Sequence, residues 1–275
     1  MTFENMGRGA LTYLPCRYGR SKLVFRGPSK NLNKPYVAFL GGTETYGKFL
    51  KRPFADLVEQ EIGLTCVNLG CVNAGPDAFL NDPFVTPACS KARATVIEVM
   101  GANNLTNRFY SVHPRRNDRF LKASGLMQTV FRDVDFTEFA FTRHLLSRLK
   151  ELSPDRYEIL EAELKEAWIA RMKALVSKIE GKTVLLWASE HEQKDQNDLV
   201  GLGPDPLFVT RSMIDAVRPY VTEVIEYQPS AQARASKLDG MFLTEMEQPA
   251  AEDLMGQAAH EEIAGEVAEV LSRLL

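Results

Sequence analysis

Residues 36–47 read Tyr36-Val37-Ala38-Phe39-Leu40-Gly41-Gly42-Thr43-Glu44-Thr45-Tyr46-Gly47, and their reading decides the fold. Five apolar residues closed by two glycines have the length and continuity of a strand buried on both faces. Downstream, Pro53 suits the first turn of a helix, Phe54, Leu57, Val58 and Ile62 follow at helical spacing, and Gly63 supplies a stop. The alternation then repeats. Strands are predicted over residues 65–69, 94–100, 183–188 and 221–227. Helical stripes run over 133–152, from Pro154 to Gly181, from Thr210 through Val217, and from about Ala250 to Leu274. Residues 105–130, rich in Arg and Asn, read as a helical and loop insertion after the third strand.

Strands and helices in this order predict an α/β fold of three layers: a parallel five-stranded, flavodoxin-like sheet with helices on both faces. Ligands in such sheets bind beyond the carboxyl ends of the strands. That rule points to residues 41–47, 70–77, 101–104 and 189–195. No repeat or long linker divides the chain, so residues 35–275 read as a single domain.

Composition sets outer bounds. The chain has 275 residues, 45% of them apolar and 25% charged, which suits a globular protein with a full core and argues against disordered, collagen-like or coiled-coil readings. Its 33 basic and 36 acidic side chains give a net charge of −3. No general reason to bind nucleic acid or an acidic membrane follows. Apolar runs are too short for a signal peptide or a membrane helix, so a cytoplasmic protein is expected. Cys16, Cys66, Cys71 and Cys89 form no C-x-x-C pair and the four histidines lie far apart. No metal site or other cofactor is expected, and the thiols are expected to be reduced. Residues 1–34 form a basic arm. It is read as packing on the domain, the alternative being a contact between copies in a homo-oligomer.

Two readings of the 41–48 segment compete. Gly42 and Gly47-Lys48 have the spacing of a phosphate loop. Phe49, however, stands where Ser or Thr should hold magnesium, and no strand ends in the expected carboxylate. Nucleotide binding through Gly42–Lys48 is retained as an alternative.

The same segment resembles the first block of the SGNH (GDSL-type) hydrolases, G-D-S-x-[ST]-x-G after the first strand. Asn68-Leu69-Gly70-Cys71-Val72-Asn73, with Gly75 beyond it, resembles the second block. Gly101-Ala102-Asn103-Asn104 resembles the third, G-x-N-D. The three stand in order at successive strand ends, and the resemblance covers residues 36–104. It places the family's nucleophile on Thr43 and its preceding Asp on Gly42. The oxyanion donors fall on the Thr43 N–H, the N–H of Asn73 or Gly75, and the Asn103 side chain. Asp239-Gly240-Met241-Phe242-Leu243-Thr244 resembles the family's D-G-x-H-L-T form, with Phe242 where the basic His should stand. The resemblance therefore implies an ester-hydrolase or acyltransferase site with a degenerate catalytic set.

A hydroxyl needs an adjacent base to attack. His191, just past the fourth strand, is the candidate, oriented by Glu190 or Asp195; the alternative is a solvated loop histidine. His144 and His260 read as surface or packing residues. Arg115 and Arg116 could clamp an anion as a lid over the site, or solvate a loop in which Asp118 pairs with one of them. Thr43 and Asn103 could equally serve as turn caps. Two functions remain open: atypical ester chemistry, or non-catalytic binding of an anionic or ester-like small molecule.

Overall fold

The computed structural model describes residues 11–191 and 201–275. Among the described residues seven strands are formed: β1 (Tyr36–Leu40), β2 (Thr65–Asn68), β3 (Ala94–Glu98), β4 (Tyr110–His113), β5 (Arg116–Ala123), β6 (Thr183–Ala188) and β7 (Glu223–Tyr227). The helices are α1 (Thr43–Tyr46), α2 (Phe54–Ile62), α3 (Pro76–Leu80), α4 (Val85–Lys91), α5 (Gly125–Val130), α6 (Thr142–Leu152), α7 (Pro154–Ser177), α8 (Arg211–Val217), α9 (Ala231–Ala235), α10 (Gln248–Ala251) and α11 (Gln257–Leu274).

Five strands form one parallel sheet in the order β2-β1-β3-β6-β7. All of β1, β3 and β6 is buried, as their unbroken apolar runs require. Alternate residues serve opposite layers. Ala38, Leu40, Val67, Ile97, Leu185 and Trp187 join a core with Leu160, Leu164 and Trp168 of α7. Val37, Phe39, Val96, Val184, Leu186 and Ile225 join a second core with Phe54 and Val58 of α2 and Ile263, Val267 and Leu271 of α11. Each fully buried side chain of this size stabilises the fold by about 1.5–3 kcal/mol before entropy is charged. The chain leaves β1 toward β2 on one side and returns to β3 on the other. The crevice between the ends of β1 and β3 is therefore the topological switch point, where such sheets hold ligands.

Three stretches depart from the sequence reading. The insertion opens with an antiparallel hairpin, β4 and β5, before the helix α5. The helix expected from residue 133 begins at Thr142, because residues 140 and 141 pair with the hairpin instead. Phe120 N–H donates to Ala140 O at 3.1 Å and Arg119 bridges Phe141. The last helix is broken between α10 and α11. Gly256 lies against Lys237, where a Cβ would come within 2.1 Å of the carbonyl oxygen, and Met255 N–H is held by Glu44 at 3.2 Å. Among the described residues no helix is long and apolar enough to cross a membrane, and the four cysteines are free thiols.

Candidate functional site

The loop from Gly41 to Lys51 is fastened from every side. Glu98, at the end of β3, is buried, and its carboxylate accepts from Gly42 N–H at 3.0 Å, Thr45 N–H at 2.8 Å and the Thr45 hydroxyl. Burial pushes the Glu98 carboxyl up to about 7, against the pull of those donors. Gly41 has no room for a side chain, since a Cβ would come within 2.3 Å of Glu98 Oε2. Asn68, ending β2, donates to Thr45 O at 2.6 Å and accepts from Gly70 N–H at 2.9 Å. From the N-terminal arm, the buried Arg26 guanidinium donates to four carbonyls: Gly47 at 2.6 Å, Leu50 at 2.6 Å, Lys51 at 2.9 Å and Tyr46 at 3.2 Å. A guanidinium is the side chain whose fixed fork can serve several acceptors together.

This places Thr43 at the switch point, on the first turn beyond β1. Its hydroxyl donates to Asn73 Oδ1 at 3.2 Å and accepts from Asn73 N–H at 3.0 Å. Asn73 takes a left-handed backbone, φ +55°, a conformation Asn tolerates better than most residues. Its amide nitrogen donates to Asp118 Oδ2 at 3.3 Å. Asn104 donates to Asn73 O at 3.1 Å, while Asn104 Oδ1 accepts from Asn103 Nδ2 and from the Thr142 hydroxyl, both at 2.8 Å. The third-block turn is braced from below: Trp168 Nε1 donates to Met100 O at 2.7 Å, and the Tyr110 hydroxyl to Asn103 O at 2.6 Å.

Thr43, Asn73 and Asn103 thus belong to one hydrogen-bonded cluster. The second-block amides are already engaged, Asn73 N–H with Thr43 and Gly75 N–H with Asn117 Oδ1 at 2.9 Å. Gly42 N–H is engaged with Glu98. Gly75 passes so close to Asn104 that a Cβ would fall 1.8 Å from its carbonyl oxygen.

His191 stands beyond β6, at the same sheet edge. Its Nδ1 lies 2.5 Å from Ser189 Oγ, and that hydroxyl also reaches Asp205 O at 2.9 Å. Glu190 pairs with Lys237 at 2.6 Å; Asp195 lies outside the described residues. Phe242 is half-exposed and its N–H donates to Phe49 O at 2.7 Å. Residues 43–46 form a helical turn, with Tyr46 N–H donating to Gly42 O at 3.1 Å and Gly47 N–H to Thr43 O at 2.9 Å. Those two amides are spent within the turn. Lys48 Nζ sits 4.5 Å above the Phe49 ring.

Arg115 and Arg116 are exposed at the β4–β5 turn, and both their amides donate to His113 Nδ1 at 3.2 Å. Asp118 accepts from Asn73, not from a neighbouring arginine as one reading had it. Wholly buried Asn117 accepts from Gly75 and Ala78 N–H and donates to His113 O at 3.0 Å. Sequence reasoning did not single out Glu98, Asn104, Asn117 or Asp118 as site residues. Asn104 had a signal, being the fourth position of the third block. Asp118 carried none, since its partner Asn73 is 45 residues away. Burial pushes the thiols of Cys71 and Cys89 up to about 12, so neither is a nucleophile at neutral pH.

The chain belongs to the family described as Domain of unknown function (DUF6473), whose model matches residues 1–275. No curated protein matches it. Among solved structures, a gut microbial diltiazem-metabolizing enzyme is 11% identical with a TM-score of 0.43, covering 86% of this chain and 47% of its own, so this chain spans about half of it. A lipase from a goat rumen metagenome is 10% identical, TM-score 0.42, covering 86% and 97% of the two chains. An inhibitor-bound aryl esterase of M. smegmatis is 10% identical, TM-score 0.40, covering 88% and 100%. These likenesses concern architecture alone.

Proposed function

We propose that this member of the family is an SGNH-hydrolase-like protein whose switch-point site binds a small anion or carbonyl-bearing ligand and turns over simple esters weakly or not at all. One observation carries the reading. The Thr43 hydroxyl gives its hydrogen to an amide oxygen, Asn73 Oδ1, and an amide has no useful basicity. A triad needs an imidazole or carboxylate at that position. His191 has Ser189 against Nδ1, so it does not supply that base to Thr43 through this nitrogen.

Binding is served by what the cluster retains. Asn103 spends one amide hydrogen on Asn104 and has a second to give. On this reading Arg115 and Arg116, exposed on the turn that leads to Asp118, supply charge and planar geometry to the ligand. Hydrogen bonds to a charged acceptor are worth about 1.5–3 kcal/mol each.

The test has two arms. Turnover of p-nitrophenyl acetate is expected to be no higher in the native protein than in Thr43→Val. Robust turnover that vanishes in Thr43→Val would overturn the binding reading and establish a working nucleophile. In the second arm, carboxylates, phosphates and sulfates are screened by thermal shift, since a ligand of the folded state raises its melting temperature. Asn103→Leu is expected to weaken the best anion about tenfold, and Arg115→Ala to weaken it in a salt-dependent way.

A further inference from the structure

We infer that the ligand of this site is a hydroxylated anion, one whose carbon atoms next to the charged group carry hydroxyls. The inference rests on the anion-binding reading and follows from counting what each side chain has left to offer.

Thr43 has one hydroxyl hydrogen and two lone pairs. The hydrogen goes to Asn73 Oδ1 and one lone pair takes Asn73 N–H. What remains is an acceptor. The Thr43 hydroxyl therefore has no hydrogen to give an anion, and the donor at this residue is its backbone N–H. Asp118 is half-buried beside it, with Oδ2 on the Asn73 amide and Oδ1 able only to accept. Asp118 also fixes the Asn73 amide: with its nitrogen on the carboxylate, its oxygen must face Thr43. Two acceptors, one of them charged, thus flank a single amide.

The donors stand beside them. Asn73 and Asn104 each spend one amide hydrogen, on Asp118 and on Asn73 O, and each has another. The ring closes through the hairpin: Asp118 precedes Arg119, Arg119 bridges Phe141, and Thr142 donates to Asn104. Acceptors and donors therefore alternate around one rim built from the loops after β1, β2 and β3, from β5 and from the start of α6. Bare acetate or sulfate, which only accepts, matches the amides and arginines but is repelled by Asp118. A hydroxyl both donates and accepts. It can give its hydrogen to Asp118 or Thr43 and take one from Asn73 or Asn104, while the anionic end meets Arg115 and Arg116.

The experiment compares three probes by titration calorimetry on the full chain: gluconate, hexanoate and glucose. Gluconate is expected to bind about tenfold or more tighter than hexanoate, the equivalent of one hydrogen bond, and tighter than glucose. Asp118→Asn keeps an oxygen for Asn73 and removes the charge; it is expected to lower the gluconate-to-hexanoate ratio about tenfold. Thr43→Ser, which keeps the hydroxyl, is expected to keep the ratio, with melting temperatures showing that both variants fold. Hexanoate binding as tightly as gluconate, or a ratio unmoved by Asp118→Asn, overturns this inference and leaves the anion-binding reading standing. Binding of neither anion overturns this inference, and the anion-binding reading is overturned with it only if the thermal-shift screen of phosphates and sulfates is also blank.

Discussion

His260 Nε2 and Glu44 Oε2 meet 3.2 Å apart where α11 crosses the turn that carries Thr43. The imidazole is fully buried, and its Nδ1 accepts from Phe54 N–H, the first amide of α2, at 3.1 Å. With Nδ1 as acceptor, the ring hydrogen of the neutral form is on Nε2 and is given to Glu44. One side chain therefore caps α2 and anchors the residue next to Thr43.

Replacing His260 by Ala leaves a buried amide and a carboxylate without that partner and opens a cavity. The expected cost is about 2–4 kcal/mol, read as a lower urea midpoint with an unchanged slope. A midpoint equal to that of the native protein would show that water or a side-chain shift replaces the imidazole at no cost.

Glu98 makes stability depend on pH in a defined direction. Its carboxyl stands at about 7 in the fold, above the ordinary 4.5, so the native state favours the protonated form. Stability from this group is fully present below about pH 4.5 and is lost as pH rises toward 7, by about 3 kcal/mol in all. Glu98→Gln has no proton to lose. The difference in unfolding free energy between native protein and variant, followed from pH 5 to 8, is expected to move against the native protein. A pH-independent difference would mean that Glu98 ionises with its ordinary value.

Arg26→Ala withdraws the donors from four carbonyls of the 46–51 segment, for an expected loss of about 2–4 kcal/mol. Arg26→Lys should recover less than half, because an ammonium is a point donor where the site needs a fork. Hydrogen exchange at residues 46–51 is the sharper readout: both variants should exchange faster there, and protection equal to native would remove Arg26 from the account.

The sheet was legible because burial on both faces leaves a continuous apolar run, and five such runs ended in polar or glycine-rich loops. The placement of Thr43, Asn103 and His191 at one edge follows from the strand positions, whereas the order β2-β1-β3-β6-β7 is read from the fold. The hairpin was not legible. Arg116–Ala123 carries four charged residues and lacks a clean alternation, because register shifts in the hairpin put its buried positions at 117, 120 and 123 rather than at every second residue, and one of them is Asn117, a polar group that caps a distant helix. Arg26 misled in the opposite way. In a basic arm a single arginine reads as solvated, and only the fold reveals four carbonyls converging on it. For the candidate site the block spacing picked out Thr43, Asn73 and Asn103, which the fold gathers into one hydrogen-bonded cluster. The carboxylate that orients Asn73 comes from the insertion, and no local pattern couples Asp118 to it.

Asn117 bears on the timing of ligand exchange. Its oxygen takes the amides of Gly75 and Ala78, at the start of α3, and its nitrogen holds His113 O. The hairpin turn that carries the arginines is thereby tied to the body of the protein. For the anion we propose as ligand, that turn is a standing field. On that proposal the association rate is expected to follow diffusion and ionic strength rather than a conformational clock, with differences in residence time between ligands set by how fast each one leaves.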